Sequence, residues 1–102
     1  MAAITITKEN FQSEVLESKK TVIIDFWAAW CGPCQMLSPV VDEIAAENPD
    51  IKVGKVNVDD QVDLAKEFHI LSIPTLGIFK NGQLIHRSTG VQPKESILAL
   101  LK

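Results

Sequence analysis

The chain is poor in cysteine: Cys31 and Cys34 are the only two in 102 residues. That count excludes a disulfide-rich secreted scaffold, which rests on several bridges. Long apolar runs are also missing. The longest, Phe26 to Cys31, is far short of the roughly 20 residues that a membrane-spanning helix needs. Basic runs stop at Lys19-Lys20, so neither a nucleic-acid groove nor an anionic-membrane patch has support, and no nucleic-acid or membrane partner is expected. The opening residues, Met1-Ala2-Ala3-Ile4-Thr5-Ile6-Thr7, have no charged region ahead of an apolar core, so no signal peptide is expected. The expected compartment is the cytoplasm or, after removal of a transit peptide, an organelle. Repeats, linkers and low-complexity segments are lacking as well.

The remainder is ordinary globular composition: 46% hydrophobic, 23% charged, 5 Gly, 5 Pro and a net charge of −3. Residues 1–102 are expected to form one domain. At that size a chain buries roughly 60–70% of its unfolded surface and folds without a staple. Nothing in the sequence indicates an oligomer, a metal or an organic cofactor, so a monomer is expected.

Periodicity outlines an α/β domain. Ile4 to Thr7 suggests a short strand, followed by a helix over residues 8–17 capped by Thr7, with Phe11, Val15 and Leu16 inward. Residues 21–27 are apolar on both faces, as in a central parallel strand covered on both sides. A helical stripe runs through residues 34–47; Pro39 should kink that helix rather than end it. Residues 51–58 form the next strand, completing a βαβ unit with parallel strands. Asp59 or Asp60 is expected to cap a short helix ending near Phe68. Asn81-Gly82 between residues 75–80 and 83–88 is a strong hairpin signal. Pro93 then opens a last helix carrying Ile97, Leu98 and Leu101. The sheet is therefore mixed.

Cys31-Gly32-Pro33-Cys34 follows a strand and begins a helix. A helix N-terminus presents unpaired N–H groups and the positive end of the macrodipole, which favour a thiolate on Cys31 by up to about 2 kcal/mol. The thiolate is the nucleophile of disulfide exchange. Pro33 stiffens the turn and Gly32 permits close approach of a partner. Three other readings compete. A structural staple closing so short a loop would add only about 2 kcal/mol. A zinc site would need two further ligands, and His69 and His86 lack the spacing. Two inert buried thiols are the third. Cys-x-x-Cys inside a βαβ pattern of an intracellular chain is nevertheless a redox signal.

Trp27-Ala28-Ala29-Trp30-Cys31-Gly32-Pro33-Cys34 closely resembles the active-site segment of the thioredoxin family. The likeness extends to Asp25-Phe26, Pro39, Lys55-Val56-Asn57-Val58-Asp59, Ser72-Ile73-Pro74-Thr75 and Phe79-Lys80-Asn81-Gly82. It implies the thioredoxin fold, a five-stranded mixed β-sheet flanked by four α-helices. It also implies the reaction: Cys31 attacks a target disulfide, Cys34 resolves the mixed disulfide, and a thioredoxin reductase restores the pair. No cofactor is implied beyond that redox-active pair.

Asp25 lies on one strand face with Ile23 and Trp27. Buried, its carboxyl would hold a proton near neutral pH and could act as base for Cys34; a solvated strand-end aspartate is the alternative. The resemblance favours the base; Lys55 on the neighbouring strand is its expected charge partner, with a surface lysine as the alternative. Pro74 would be trans on frequency alone, whereas the resemblance implies a cis bond that leaves Ile73 free to pair with an extended target. Trp30, Gly32, Pro33, Ile73, Pro74, Gly90 and Val91 are the expected docking surface. Trp27 is expected to pack beneath the active-site loop.

Some positions depart from the family pattern. Gln35 stands where many members carry lysine or arginine, Leu71 at an often polar or basic position, and Thr89 in place of a common valine. Gly77 replaces a large aliphatic residue and His69 a glycine. Two rival functions follow the same fold: a disulfide oxidant or isomerase, and a non-enzymatic binding module. Gly32-Pro33 between the cysteines, where oxidants usually carry histidine, favours a reductant.

Overall fold

A run that is apolar on both faces needs cover on both, and Thr21–Trp27 has it. The computed structural model describes residues 3–102; Met1 and Ala2, part of the segment read for a signal peptide, lie outside the described residues. Five strands form one sheet: β1 (Ile4–Thr5), β2 (Thr21–Trp27), β3 (Ile51–Asn57), β4 (Thr75–Lys80) and β5 (Gln83–Thr89). Their spatial order is β1-β3-β2-β4-β5. β1, β3 and β2 run parallel, while β4 is antiparallel to β2 and β5 to β4. The α-helices are α1 (Gly32–Glu47), α2 (Val62–Glu67) and α3 (Lys94–Ala99).

Strand alternation divides the core. Ile23, Val53, Leu76 and Ile78 pack under α1 and α3 against Leu37, Val41, Ile44 and Ile97. Val22, Ile24, Phe26, Val56 and Phe79 pack on the other face with Phe11, Val15 and Leu64. Fully burying one such side chain contributes about 1.5–3 kcal/mol, so both faces hold β2 in the middle of the sheet. Pro39 lies inside α1, and the helix continues past it, as its apolar stripe requires.

The expected helix over residues 8–17 is instead one π-helical turn, Gln12–Leu16, closed by Glu17 N–H to the Gln12 carbonyl at 2.9 Å. Thr7 is not its cap: the N-cap is Phe11, with no side-chain cap bond, and Asn10 braces the entry, its Oδ1 accepting from Thr7 N–H at 2.7 Å and its Nδ2 donating to Thr5 O at 2.9 Å. A short amide side chain competes well for nearby backbone groups. The wide turn keeps Phe11 and Val15 buried but leaves Leu16 39% exposed, contrary to the inward position expected. Three α-helices and this turn thus fill the four helical places.

Local chemistry also explains two turns. Asn81 and Gly82 have φ of 52° and 77°, the positive pair that joins Lys80 to Gln83 in a tight hairpin. His69 has φ 53° just beyond α2. Its N–H bonds the Lys66 carbonyl and Ile70 N–H bonds that of Ala65, a Schellman closure in the place where glycine is favoured. Arg87 reaches from β5 to the carbonyls of Phe68 and His69 and covers that helix end.

Candidate active site

Cys31 ends the loop after β2 and is the N-cap of α1, with φ −92° and ψ 110°. Gly32 and Pro33 therefore occupy the first two helical positions and Cys34 the third. Pro33 needs no backbone donor there. Cys34 N–H donates to Cys31 Sγ at 3.2 Å, so a sulfur fills the place usually taken by a capping oxygen. The two cysteines are disulfide-bonded, with Cα atoms 5.3 Å apart. Both are buried, and Ala28, Trp27, Val58 and Ile73 pack around them.

The Ile73–Pro74 peptide bond is cis, as the family resemblance implied. Ile73 O lies 3.8 Å from Cys31 Sγ. Gly90 N–H donates to Pro74 O at 2.8 Å, which brings Gly90 and Val91 beside this loop. Trp30 is 72% exposed, and its indole N–H donates to Asp59 Oδ2 at 2.9 Å. Asp59 thus braces Trp30, whereas the N-cap of α2 is Gln61, with no side-chain cap bond. Trp30, Val58, Ile70, Leu71, Ser72 and Ile73 line a groove of about 300 Å³. Leu71, 96% exposed, stands at its rim. Gln35, where a cation is common, donates instead to the Ala29 carbonyl at 3.3 Å.

Behind Cys34 lies a cavity of about 170 Å³ lined by Trp27, Cys34, Gln35, Ser38 and Lys55. Asp25 is buried on β2 below α1, only 1% exposed, and its Oδ1 has no partner among the described residues. Burial pushes its carboxyl from the ordinary 3.8 up to about 6; Lys55 opposes that rise and Asp42 adds to it. Lys55 is in register with Asp25 on the neighbouring strand. Its ammonium, however, bonds Ser38 Oγ at 2.6 Å and Asp42 Oδ1 at 2.9 Å. The sequence pointed to Lys55 as the charge partner of Asp25; Lys55 acts on that carboxyl through its charge, while its direct bonds go to α1. Ser38, Asp42, Asp59 and Leu71 were missed as site neighbours. The signals available beforehand were Ser38 and Asp42 at four-residue spacing after Cys34 and Leu71 as a departure from the family pattern.

A buried cysteine pair at a helix N-terminus, with an apolar rim in front and a protonatable carboxyl behind, defines a dithiol–disulfide exchange site. The thioredoxin family model matches residues 2–102. Thioredoxin 1 of Synechococcus elongatus is 50% identical over 96 residues, covering 93% of this chain and 90% of that protein. The thioredoxin of Alicyclobacillus acidocaldarius is 46% identical over 101 residues, covering 98% and 95%. Thioredoxin 1 of Nostoc is 48% identical over 102 residues, covering 99% and 95%. This chain belongs to the thioredoxin family. It is a thiol–disulfide oxidoreductase whose redox centre is the Cys31–Cys34 pair.

Proposed function

We propose that Cys31 is the attacking residue and Cys34 the resolving one in the reduction of target-protein disulfides. The observation that carries this is the N-cap position of Cys31: its sulfur already accepts the Cys34 N–H, a bond that strengthens when the sulfur is a thiolate. The Cys31 thiolate displaces one sulfur of the target disulfide, and that leaving thiolate takes up a proton. Cys34 next gives its proton to Asp25 and attacks Cys31 Sγ. The second target thiolate leaves and is protonated. Two electrons have passed to the target, and the chain carries the disulfide.

Asp25 suits the base role because burial lifts its carboxyl to about 6, close to working pH. Lys55 acts on that carboxyl through its charge. Trp30, Ile73, Pro74, Gly90 and Val91 form the docking surface around Cys31, with Gly32 and Pro33 at its centre; an extended target segment pairs with the Ile73 backbone. A thioredoxin reductase returns two electrons to the pair, with no other cofactor. The chain works as a one-domain monomer in the cytoplasm.

The test is trapping. Cys34→Ser mixed with a disulfide-containing protein should accumulate a covalent complex through Cys31, which dithiothreitol releases. Cys31→Ser should trap none. Trapping by Cys31→Ser alone would reverse the two roles.

A further inference from the structure

Helix α1 carries a line of side chains along the flank that Lys55 reaches. Cys34, Ser38 and Asp42 stand at i, i+4 and i+8, one above another along the helix. Lys55 rises from β3 to meet that line, donating from Nζ to Ser38 at 2.6 Å and pairing with Asp42 at 2.9 Å. Asp25, paired in register with Lys55, receives neither bond, and its Oδ1 is buried and unpartnered among the described residues. Electrostatics alone would draw an ammonium to a buried carboxylate. Here two of its three donors are engaged on the helix instead.

We infer that Ser38 is a positioning residue: its hydroxyl, together with the Asp42 carboxylate, anchors the Lys55 ammonium to α1 and holds it off the Asp25 carboxyl. Asp42 alone is a weak anchor, because its side chain is 55% exposed and water and salt screen its charge. Ser38 is half-buried beside the cavity that Cys34 and Lys55 share, where a charge-assisted bond is better protected. Without the hydroxyl, the ammonium sits between a screened carboxylate on the helix and an unscreened one in the core. It then moves toward Asp25 and favours the ionised form. The charges that act on Asp25 are those of Lys55 from β3 and Asp42 from α1; Glu43 and Glu47 of α1 are paired with Lys94 of α3 instead, and β4 sets the apolar Leu76 in register with Asp25. The consequence for catalysis rests on the proposed role of Asp25 as base for Cys34: a carboxyl that binds its proton less tightly carries the resolving step to lower pH but pulls less strongly on the Cys34 proton.

The experiment is a carbon-13 NMR titration of the Asp25 carboxyl in the oxidised protein, its resonance assigned by its loss in Asp25→Asn. In Ser38→Ala the midpoint should fall by about one pH unit, the low end of what a close opposite charge does. In a Lys55→Gln background, Ser38→Ala should not move it. An unchanged or raised midpoint in the single variant would overturn the inference, as would an equal fall in both backgrounds. The carboxyl's own titration needs no assumption about catalysis. Mixed-disulfide resolution, followed against pH in the same proteins, tests the base role separately. If the midpoint moves and the rate profile stays, Asp25 is not the base while the anchoring by Ser38 stands.

Discussion

Replacing Asp25 with asparagine removes a titration from the core. The folded protein holds the Asp25 proton up to about pH 6, whereas the unfolded chain loses it near 3.8. Between those values the native state binds more protons, so its stability falls as pH rises. The contribution is fully present below about pH 4, declines through the interval and is gone once pH has passed about 6. A little over two pH units at about 1.36 kcal/mol each makes a loss of about 3 kcal/mol. That is a large part of the roughly 5–15 kcal/mol that keeps a domain folded. The assay is urea unfolding of oxidised wild type and Asp25→Asn at intervals from pH 4 to 8. Groups titrating alike in both proteins cancel in the difference. The variant should gain about 2 to 2.5 kcal/mol on wild type across that range, mostly between pH 4 and 6, the rest of the swing lying below pH 4. A flat difference would show that Asp25 does not titrate with the raised value. A difference falling with pH would show the carboxylate paired and stabilised when charged, as a direct bond to Lys55 would make it.

Three further outcomes follow from the packing. Leu71→Lys removes the exposed apolar rim of the groove beside Trp30; KM should rise about fivefold for a target with a large apolar residue next to its disulfide, from about 1 kcal/mol of lost burial, and an unchanged KM would take Leu71 out of the docking surface. His69→Gly relieves a left-handed residue at the end of α2 and should add about 1 kcal/mol in urea unfolding; a loss would mean that the His69 side chain contributes more than its backbone costs. Gly54→Ala would put a Cβ 2.5 Å from Ile6 Cγ1 and 3.0 Å from Ile24 Cδ1 in the core. It should cost about 1–3 kcal/mol, and a neutral result would mean that the Ile6 side chain yields freely.

The readable parts of the sequence were those whose physics is local. Two-faced apolarity marked β2, Asn81-Gly82 fixed the hairpin, and the apolar stripe over residues 34–47 marked α1. The π-helical turn was not readable, because Phe11 and Val15 fit either turn width and the Asn10 amide decided the entry. The partner of Lys55 was also hidden. Register puts it beside Asp25, but a four-carbon side chain chooses among acceptors that only the packed helix brings near. The Asp59–Trp30 bond spans 29 residues, and at sequence level Asp59 looked like a helix cap. Leu71 was legible as a departure from the family pattern, but its exposure depended on how the loop before Pro74 is held. The cysteine pair itself was plain; the polar line behind it took shape only when β3 and α1 were packed together.

Whether this chain is a disulfide reductant is decided by the equilibrium reduction potential of the Cys31–Cys34 pair. Trp27 and Trp30, both beside the pair, report its redox state by fluorescence in defined dithiol buffers. A reductant should give a value near that of thioredoxins, about −270 mV. A value of about −180 mV or higher would contradict that reading and make the protein an isomerase or an oxidant.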